Sequence, residues 1–337
     1  MRLNWKSALG IALSVGLLVW TLHGESPAAI WAAITESNLL LLITSALVAT
    51  AIFPLRAIRW RIILAPAAPN LPIAPLWRAI AVGMMVNNVY PARLGEIARA
   101  YALTRETSRV SLTSAVASLA VDRVFDALTL MLLLVSAMLA PDFPQGMTVA
   151  GQPVQRGAAV FAAGTLGLFV VLYVIVAFPQ RLVRLYAGVV GRFAPRLVER
   201  GSAIIQAFSE GLGVLRSPRR FIAVFAWALI HWLVNALAFW IGFKALGIEV
   251  PFSAANFLQG IIAIGVALPS SPGFFGVFEV AAKYGLEVYG VPGGQAVSWA
   301  IGFHILSFIP ITLIGLYYFA RLGLHFSDFK TQPNEAR

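Results

Sequence analysis

The sequence predicts an all-α polytopic membrane protein of about six transmembrane helices, with two re-entrant, broken helix segments arranged as an inverted repeat. Three observations carry this expectation. Of 337 residues, 59% are hydrophobic and only 12% charged, with a mean hydropathy of +0.82, too apolar for a soluble chain and enough for several spans. Apolar runs of spanning length recur along the chain. Two stretches interrupt them with proline, glycine and charge: Asn87-Asn88-Val89-Tyr90-Pro91-Ala92-Arg93-Leu94-Gly95-Glu96-Ile97-Ala98-Arg99 and Leu268-Pro269-Ser270-Ser271-Pro272-Gly273-Phe274-Phe275-Gly276-Val277-Phe278-Glu279. Non-helical backbone at membrane depth is tolerated only where protein buries it or a wet cavity solvates it, so each reads as a broken helix lining an interior site. Paired broken segments in two halves of a chain point to a transport site.

Arg2 and Lys6 precede an apolar run from Ala8 to Leu22 flanked by Trp5 and Trp20. This suits a first span or a signal peptide; no clean small-x-small cleavage site follows, so a span is expected. The next span, about Leu39 to Leu55, returns the chain to a side where Arg56, Arg59, Arg61 and Arg78 cluster, which is read as cytoplasmic. The first broken segment, about Trp77 to Tyr101, leaves on the same side because Arg105 and Arg109 follow it. A span from about Leu112 to Ala140 carries Asp122-Arg123-Val124-Phe125-Asp126 roughly 18 Å from its start. Asp122 and Asp126 share a face at i,i+4, and Arg123 can reach Asp126 at i,i+3. Such a group either locks two helices together or marks a functional site.

A polar loop, Asp142 to Gln155, leads into a span from about Arg156 to Phe178. The segment 179–220 is arginine-rich, with Leu182, Leu185, Val189 and Phe193 at helical spacing. It reads as basic amphipathic helices on the inner leaflet, with anionic lipids as partners. Nucleic-acid binding would need aromatic or base-reading residues on that face, and none are evident. A span from about Phe221 to Leu246 carries His231 and Asn235, the second broken segment occupies about Phe252 to Val291, and a last span, about Gln295 to Phe319, contains His304. The tail 328–337 reads as disordered.

Of 25 lysines and arginines, Arg156, Lys244 and Lys283 fall outside and Arg123 within the membrane, while the rest fall inside. This bias places both termini on the cytoplasmic side of the cell membrane. It also makes 1–140 and 156–322 inverted halves of a single transmembrane domain. With no cysteine, disulfides and thiolate chemistry are excluded, and the four scattered histidines lack ligand spacing, so no metal or other cofactor is expected.

The Asn-x-x-x-Pro-Ala-Arg-x-Gly-Glu-x-x-Arg pattern at Asn87 to Arg99, Asp-Arg-x-x-Asp at Asp122 to Asp126, and Leu-Pro-Ser-Ser-Pro-Gly-x-x-Gly-x-x-Glu at Leu268 to Glu279 occur in order. Together they resemble the lysylphosphatidylglycerol synthase transmembrane, or flippase-like, family over nearly the whole chain. The resemblance implies a lipid flippase domain, which bifunctional members fuse to a soluble aminoacyl-transfer domain. The chain ends just after its last span, so no aminoacyltransferase activity is expected. Some stand-alone members occur with glycosyltransferases or in lipid pathways, and such an enzyme, or a second copy of the chain, is a compatible partner.

The expected function is translocation of a phospholipid or a polyprenyl-linked intermediate. Its site would combine Asn87, Arg93, Glu96, Arg99, Asp122, Arg123 and Asp126 with Ser270, Ser271, Gly273, Gly276 and Glu279. Guanidinium forks bind phosphate bidentately, and glycines let backbone N–H groups approach a bulky head. Glu96 and Arg99, at i,i+3, are expected to pair in the interior, and the charged ends of the two broken segments to meet near the midplane. Two other readings stay open. One is a polyprenyl-phosphate-dependent transferase, for which Glu25 and Glu36 are the outer-edge carboxylates; the other is a non-transporting partner that docks a glycosyltransferase.

Overall fold

The computed structural model describes residues 5–23, 25–90, 94–144, 148–149, 152–153, parts of 159–202, 217–267 and 271–329. Among these the chain is helical apart from a two-residue antiparallel ladder, Thr148–Val149 against Gln152–Pro153. The helices are α1 (Trp5–Leu22), α2 (Pro27–Thr35), α3 (Leu39–Thr50), α4 (Ile52–Leu64), α5 (Ile73–Val89), α6 (Gly95–Glu106) and α7 (Leu112–Met138), followed by α8 (Pro179–Val190), α9 (Pro218–Ala245), α10 (Phe252–Ala267), α11 (Val277–Glu287) and α12 (Gly293–Arg321). Their starts follow from local chemistry. Ser26, Asn38, Ser111 and Ser217 accept the orphan backbone N–H groups of α2, α3, α7 and α9, and Pro27 and Pro218 stand where the missing N–H costs nothing.

Helices α3 and α4 form one apolar rod of 26 residues, Leu39–Leu64, and with α9 and α12 it is long and apolar enough to cross a membrane. The expected span ending near Leu55 therefore runs on to Leu64 and takes Arg56 and Arg59 with it. Helix α7 has 27 residues, about 40 Å at 1.5 Å per residue. Apolar side chains such as Leu40, Leu47, Ile222, Ile264 and Leu313 face outward, the arrangement that suits a lipid solvent. Most of the expected span 156–178 lies outside the described residues, as does 203–216 of the basic segment. What is described there, α8, places Leu185 and Val189 outward beside Arg181 and Arg184. Asp328 and Phe329, expected in the tail, belong to a 3₁₀ turn at Phe326–Phe329; 330–337 lie outside the described residues.

Both broken segments are hairpins. In the first, α5 and α6 fold back on each other because Gly83 and Gly95 let their backbones touch: a Cβ on Gly95 would lie 2.2 Å from the Gly83 carbonyl oxygen. Asn87 Oδ1 accepts the Gly95 N–H at 2.9 Å across the break, and Arg78 clamps Glu106 at the open end with two bonds of 2.6 Å. In the second, α10 and α11 pack together where Gly285 makes room for Leu258, with a 3₁₀ turn, Pro272–Phe274, at the tip.

Helix α12 shows how the hairpins are set. Trp77, near the open end of the first, packs on Tyr318, and Asn88, near its tip, donates to Thr312 Oγ1 at 2.9 Å. The tip of the second meets His304 through Gly273, and its far end turns at Gly290 into the start of α12. The hairpins thus approach each other from opposite ends of α12, and α5 touches the Pro272–Phe274 turn. Each has its own apolar core: Trp60, Ile80, Met85, Leu103 and Phe125 around the first, and Phe239, Phe243, Leu258, Leu286 and Trp299 around the second. Helices α9 and α12 contribute to both.

Candidate functional site

Three helices converge on the two aspartates of α7. Asp122 and Asp126 stand one turn apart on one face and are buried. Arg59 of α4, with no exposed surface, places Nη2 2.6 Å from Asp122 Oδ1 and Nη1 2.7 Å from Asp126 Oδ1. The first contact is short but misaligned for a hydrogen bond and acts as an ion pair. From α6, Arg99 donates Nη1 to Asp122 Oδ2 at 2.9 Å and lays its guanidinium 4.0 Å over the Trp60 ring. Helix α9 supplies Trp232, whose Nε1 donates to Asp126 Oδ1 at 3.0 Å, and His231, whose Nδ1 is 3.9 Å from the same oxygen.

Arg56 is held more loosely, its Nη2 3.8 Å from Asp122 and 4.0 Å from Asp126. Glu96 pairs with Arg123, both part-exposed at the rim. The four arginines outnumber the three carboxylates, leaving one positive charge in excess at this locus. Among the described residues, Arg56 Nε and Arg99 Nε and Nη2 are buried with no hydrogen-bond partner, and Glu96 Oε2 accepts no hydrogen bond, with Arg99 Nη1 3.9 Å away. Arg56, Glu96 and Arg99, with Arg123, Asn87, Gly83 and Gly95, line a recess of about 230 Å³ of empty space, counting its open mouth. Buried N–H groups of a cation without acceptors are costly unless a ligand or water completes them, and a phosphate oxygen supplies what they lack.

A second polar group lies at the tip of the other hairpin. Glu279 accepts the Gly276 N–H at Oε2, 2.6 Å, and meets His304 Nδ1 at Oε1, also 2.6 Å. The Ser271 N–H donates to Ser14 Oγ of α1 at 2.8 Å.

The sequence-predicted residues therefore separate into two networks. Asn87, Glu96, Arg99, Asp122, Arg123 and Asp126 come together, whereas Ser271, Gly273, Gly276 and Glu279 gather at His304; Arg93 and Ser270 lie outside the described residues. Glu279 is satisfied by His304 and a backbone N–H, so its hydrogen bonding does not call on the arginines of the first hairpin. The expected Glu96–Arg99 pair is present at 3.9 Å, but each has a nearer partner, Asp122 at 2.9 Å for Arg99 and Arg123 for Glu96. Nor does Gly276 open a path to a head group, since the place of its Cβ is filled by the Ser14 carbonyl oxygen, 2.1 Å away. Arg56, Arg59 and His304 were not foreseen as site residues. Two arginines at i,i+3 inside a continuous apolar run were the available signal for the first two, masked by the assumption that the span stopped before them.

The family described as "Lysylphosphatidylglycerol synthase TM region" matches residues 7–315. The chain belongs to this family. It is a membrane protein. Among curated relatives, it is similar to "Glycosyltransferase AglD" of Haloferax volcanii, 28% identical over 295 residues that cover 81% of this chain and 47% of that protein. The chain thus spans about half the length of that relative. A "UPF0104 membrane protein" of Methanothermobacter thermautotrophicus is 25% identical over 337 residues, 94% of this chain and 93% of that protein. A further UPF0104 membrane protein, from Methanocaldococcus jannaschii, is 23% identical over 70% of this chain. No solved structure matches. The network on Asp122 joins described residues of the first and second of the three sequence patterns, and the His304 network holds described residues of the third.

Proposed function

We propose that this member of the family moves a lipid with a phosphate-bearing head, a phospholipid or a polyprenyl-linked intermediate, across the cytoplasmic membrane. The observation that carries the reading is the recess beside the first hairpin, lined by Arg56 and Arg99, which keep buried N–H groups without partners in a cluster with one positive charge in excess. The head group occupies that recess while the acyl chains remain in the bilayer. The two hairpins, set against each other along α12, are the inverted halves that alternate access around it, with both termini cytoplasmic. The segment 179–220 rests on anionic inner-leaflet lipids through its arginines, with Leu185 and Val189 of α8 turned outward beside them.

Reconstitution of the purified chain into vesicles carrying fluorescent phosphatidylglycerol, or a fluorescent polyprenyl phosphate, tests this through the fraction of label exchanged between leaflets. Arg56→Gln should leave the fold intact, because its carboxylates stand at 3.8 and 4.0 Å. It should lower exchange about tenfold or more, the equivalent of one charge-assisted hydrogen bond of roughly 1.5–3 kcal/mol. Exchange by the folded Arg56→Gln protein equal to that of the unmutated chain would remove the recess from the mechanism.

A second reading rests on the likeness to AglD, whose name is that of a glycosyltransferase. In it the chain presents or receives a lipid-linked sugar for such an enzyme. Exchange by the purified chain with no enzyme added favours the first reading; exchange only with a glycosyltransferase present favours the second.

A further inference from the structure

His304 is held at both ring nitrogens by acceptors. Nε2 lies 2.8 Å from the Gly273 carbonyl oxygen and Nδ1 2.6 Å from Glu279 Oε1. A carbonyl can only accept, so Nε2 carries a hydrogen. An ionised carboxylate can also only accept, so a hydrogen must lie between Nδ1 and Oε1 as well, on the imidazolium or on the carboxyl group. Either way the pair holds one proton more than a neutral imidazole beside a carboxylate. Remove it and two lone pairs face each other at 2.6 Å with nothing between them.

What the pair holds is the tip of the second hairpin. The turn between Ser271 and Val277 carries three positive φ values, +69° at Gly273, +63° at Phe274 and +87° at Gly276, and Phe274 has no glycine's freedom there. Gly273 is tied to α12 through His304, and Gly276 to α11 through Glu279. The rings of Phe275 and Phe278 lie 4.4 and 4.5 Å from the imidazole, faces that favour a cation. Of the other ionisable groups on packed elements, Arg78 of α5 pairs with Glu106, His231 of α9 lies beside Asp126, Lys244 of α9 pairs with Glu249, and Lys283 of α11 pairs with Glu25, while Glu287 of α11, Arg321 of α12 and Arg219 and Arg220 of α9 stand at the ends of their helices. Helices α2 and α3 carry none, and from α1 the tip meets Ser14.

We propose that Glu279 and His304 form a proton-binding site that latches the tip of the second hairpin to α12, and that the tip is released when the proton leaves. The proton passes to the aqueous phase, the ring keeps Nε2–H, and the carboxylate keeps its bond from Gly276. Electrostatic repulsion between Nδ1 and Oε1 then separates α11 from α12 at the strained turn. The link from this latch to lipid movement rests on the transport reading above; the latch itself does not.

The native chain has no cysteine, so a single Ser271→Cys in the full chain reports opening of the tip by maleimide labelling. Tyr284→Cys, exposed on α11, corrects for thiol ionisation. The ratio of the two rates should rise with pH by up to about tenfold per unit above the apparent pKa of the pair. Glu279→Gln should hold the ratio low and flat, because an amide can donate to Nδ1 and still accept from Gly276 with the ring neutral. Histidine 15N resonances give a second readout, with the signal that disappears in His304→Gln changing over the same pH interval. A flat ratio in the unmutated pair across the pH range over which the protein stays folded, or a rise that persists in Glu279→Gln, overturns the proposal. Lipid exchange that fails while labelling behaves as stated overturns the transport reading and leaves the latch standing.

Discussion

Replacing Asp122 with asparagine is expected to cost about 3 to 5 kcal/mol, enough to unfold much of the protein in detergent. Asp122 is 1% exposed and holds Arg59 at 2.6 Å and Arg99 at 2.9 Å. Its neutralisation leaves Arg59 with Asp126 alone and Arg99 with Glu96 at 3.9 Å, raising the excess of positive charge in a space that already has one too many. No rearrangement on α7 can restore it, since Arg123 is of the wrong sign and already bridges to Glu96. Glu96→Gln is the contrast. Its side chain is 32% exposed against a partner 52% exposed, so the loss should stay within about 1 kcal/mol. Fluorescence-detected size exclusion after a graded heat step ranks the two. Asp122→Asn as stable as Glu96→Gln would mean that the cluster is solvated rather than buried.

The second large effect is steric. Gly276→Ala should dislodge α1 from the tip of the second hairpin. At φ +87° an L-residue is strained, and the new Cβ would lie 2.1 Å from the Ser14 carbonyl oxygen, a backbone atom that yields only if α1 moves. Gly290 separates the two causes. Its φ is +77° with nothing within 4 Å of a built Cβ, so Gly290→Ala should show backbone strain alone, about 1–2 kcal/mol. Gly276→Ala should add an overpacking cost of about 1–3 kcal/mol to that figure. Thermal midpoints of the two purified variants measure the difference, and equal midpoints would show that α1 rides freely over the tip.

How much of this was legible in the residues differs between the halves of the site. Proline and glycine clustered with charge can only be re-entrant in a lipid solvent, so both hairpins were visible at Pro91 to Arg99 and Pro272 to Glu279. Asp122 and Asp126 declared themselves by being charged inside an apolar helix and one turn apart. The membrane class followed from hydropathy alone, because burying so much apolar surface requires a bilayer.

The partners of these groups were decided by packing. Arg59 reaches Asp122 across a separation of 63 positions only because α4 continues the α3 rod and lies against α7; by local sequence it belongs with the loop arginines near it. His304 is a single polar residue on a long apolar helix, and nothing in its neighbourhood along the chain distinguishes it from a helix–helix hydrogen bond. Its role at Glu279 and Gly273 exists only once α11 folds back along α12. Charge inside a membrane is determined locally, because its cost is set by the residue that bears it. Which opposite charge meets that cost is a long-range choice, made by the helices whose backbones can come close enough, here at Gly83, Gly95 and Gly276.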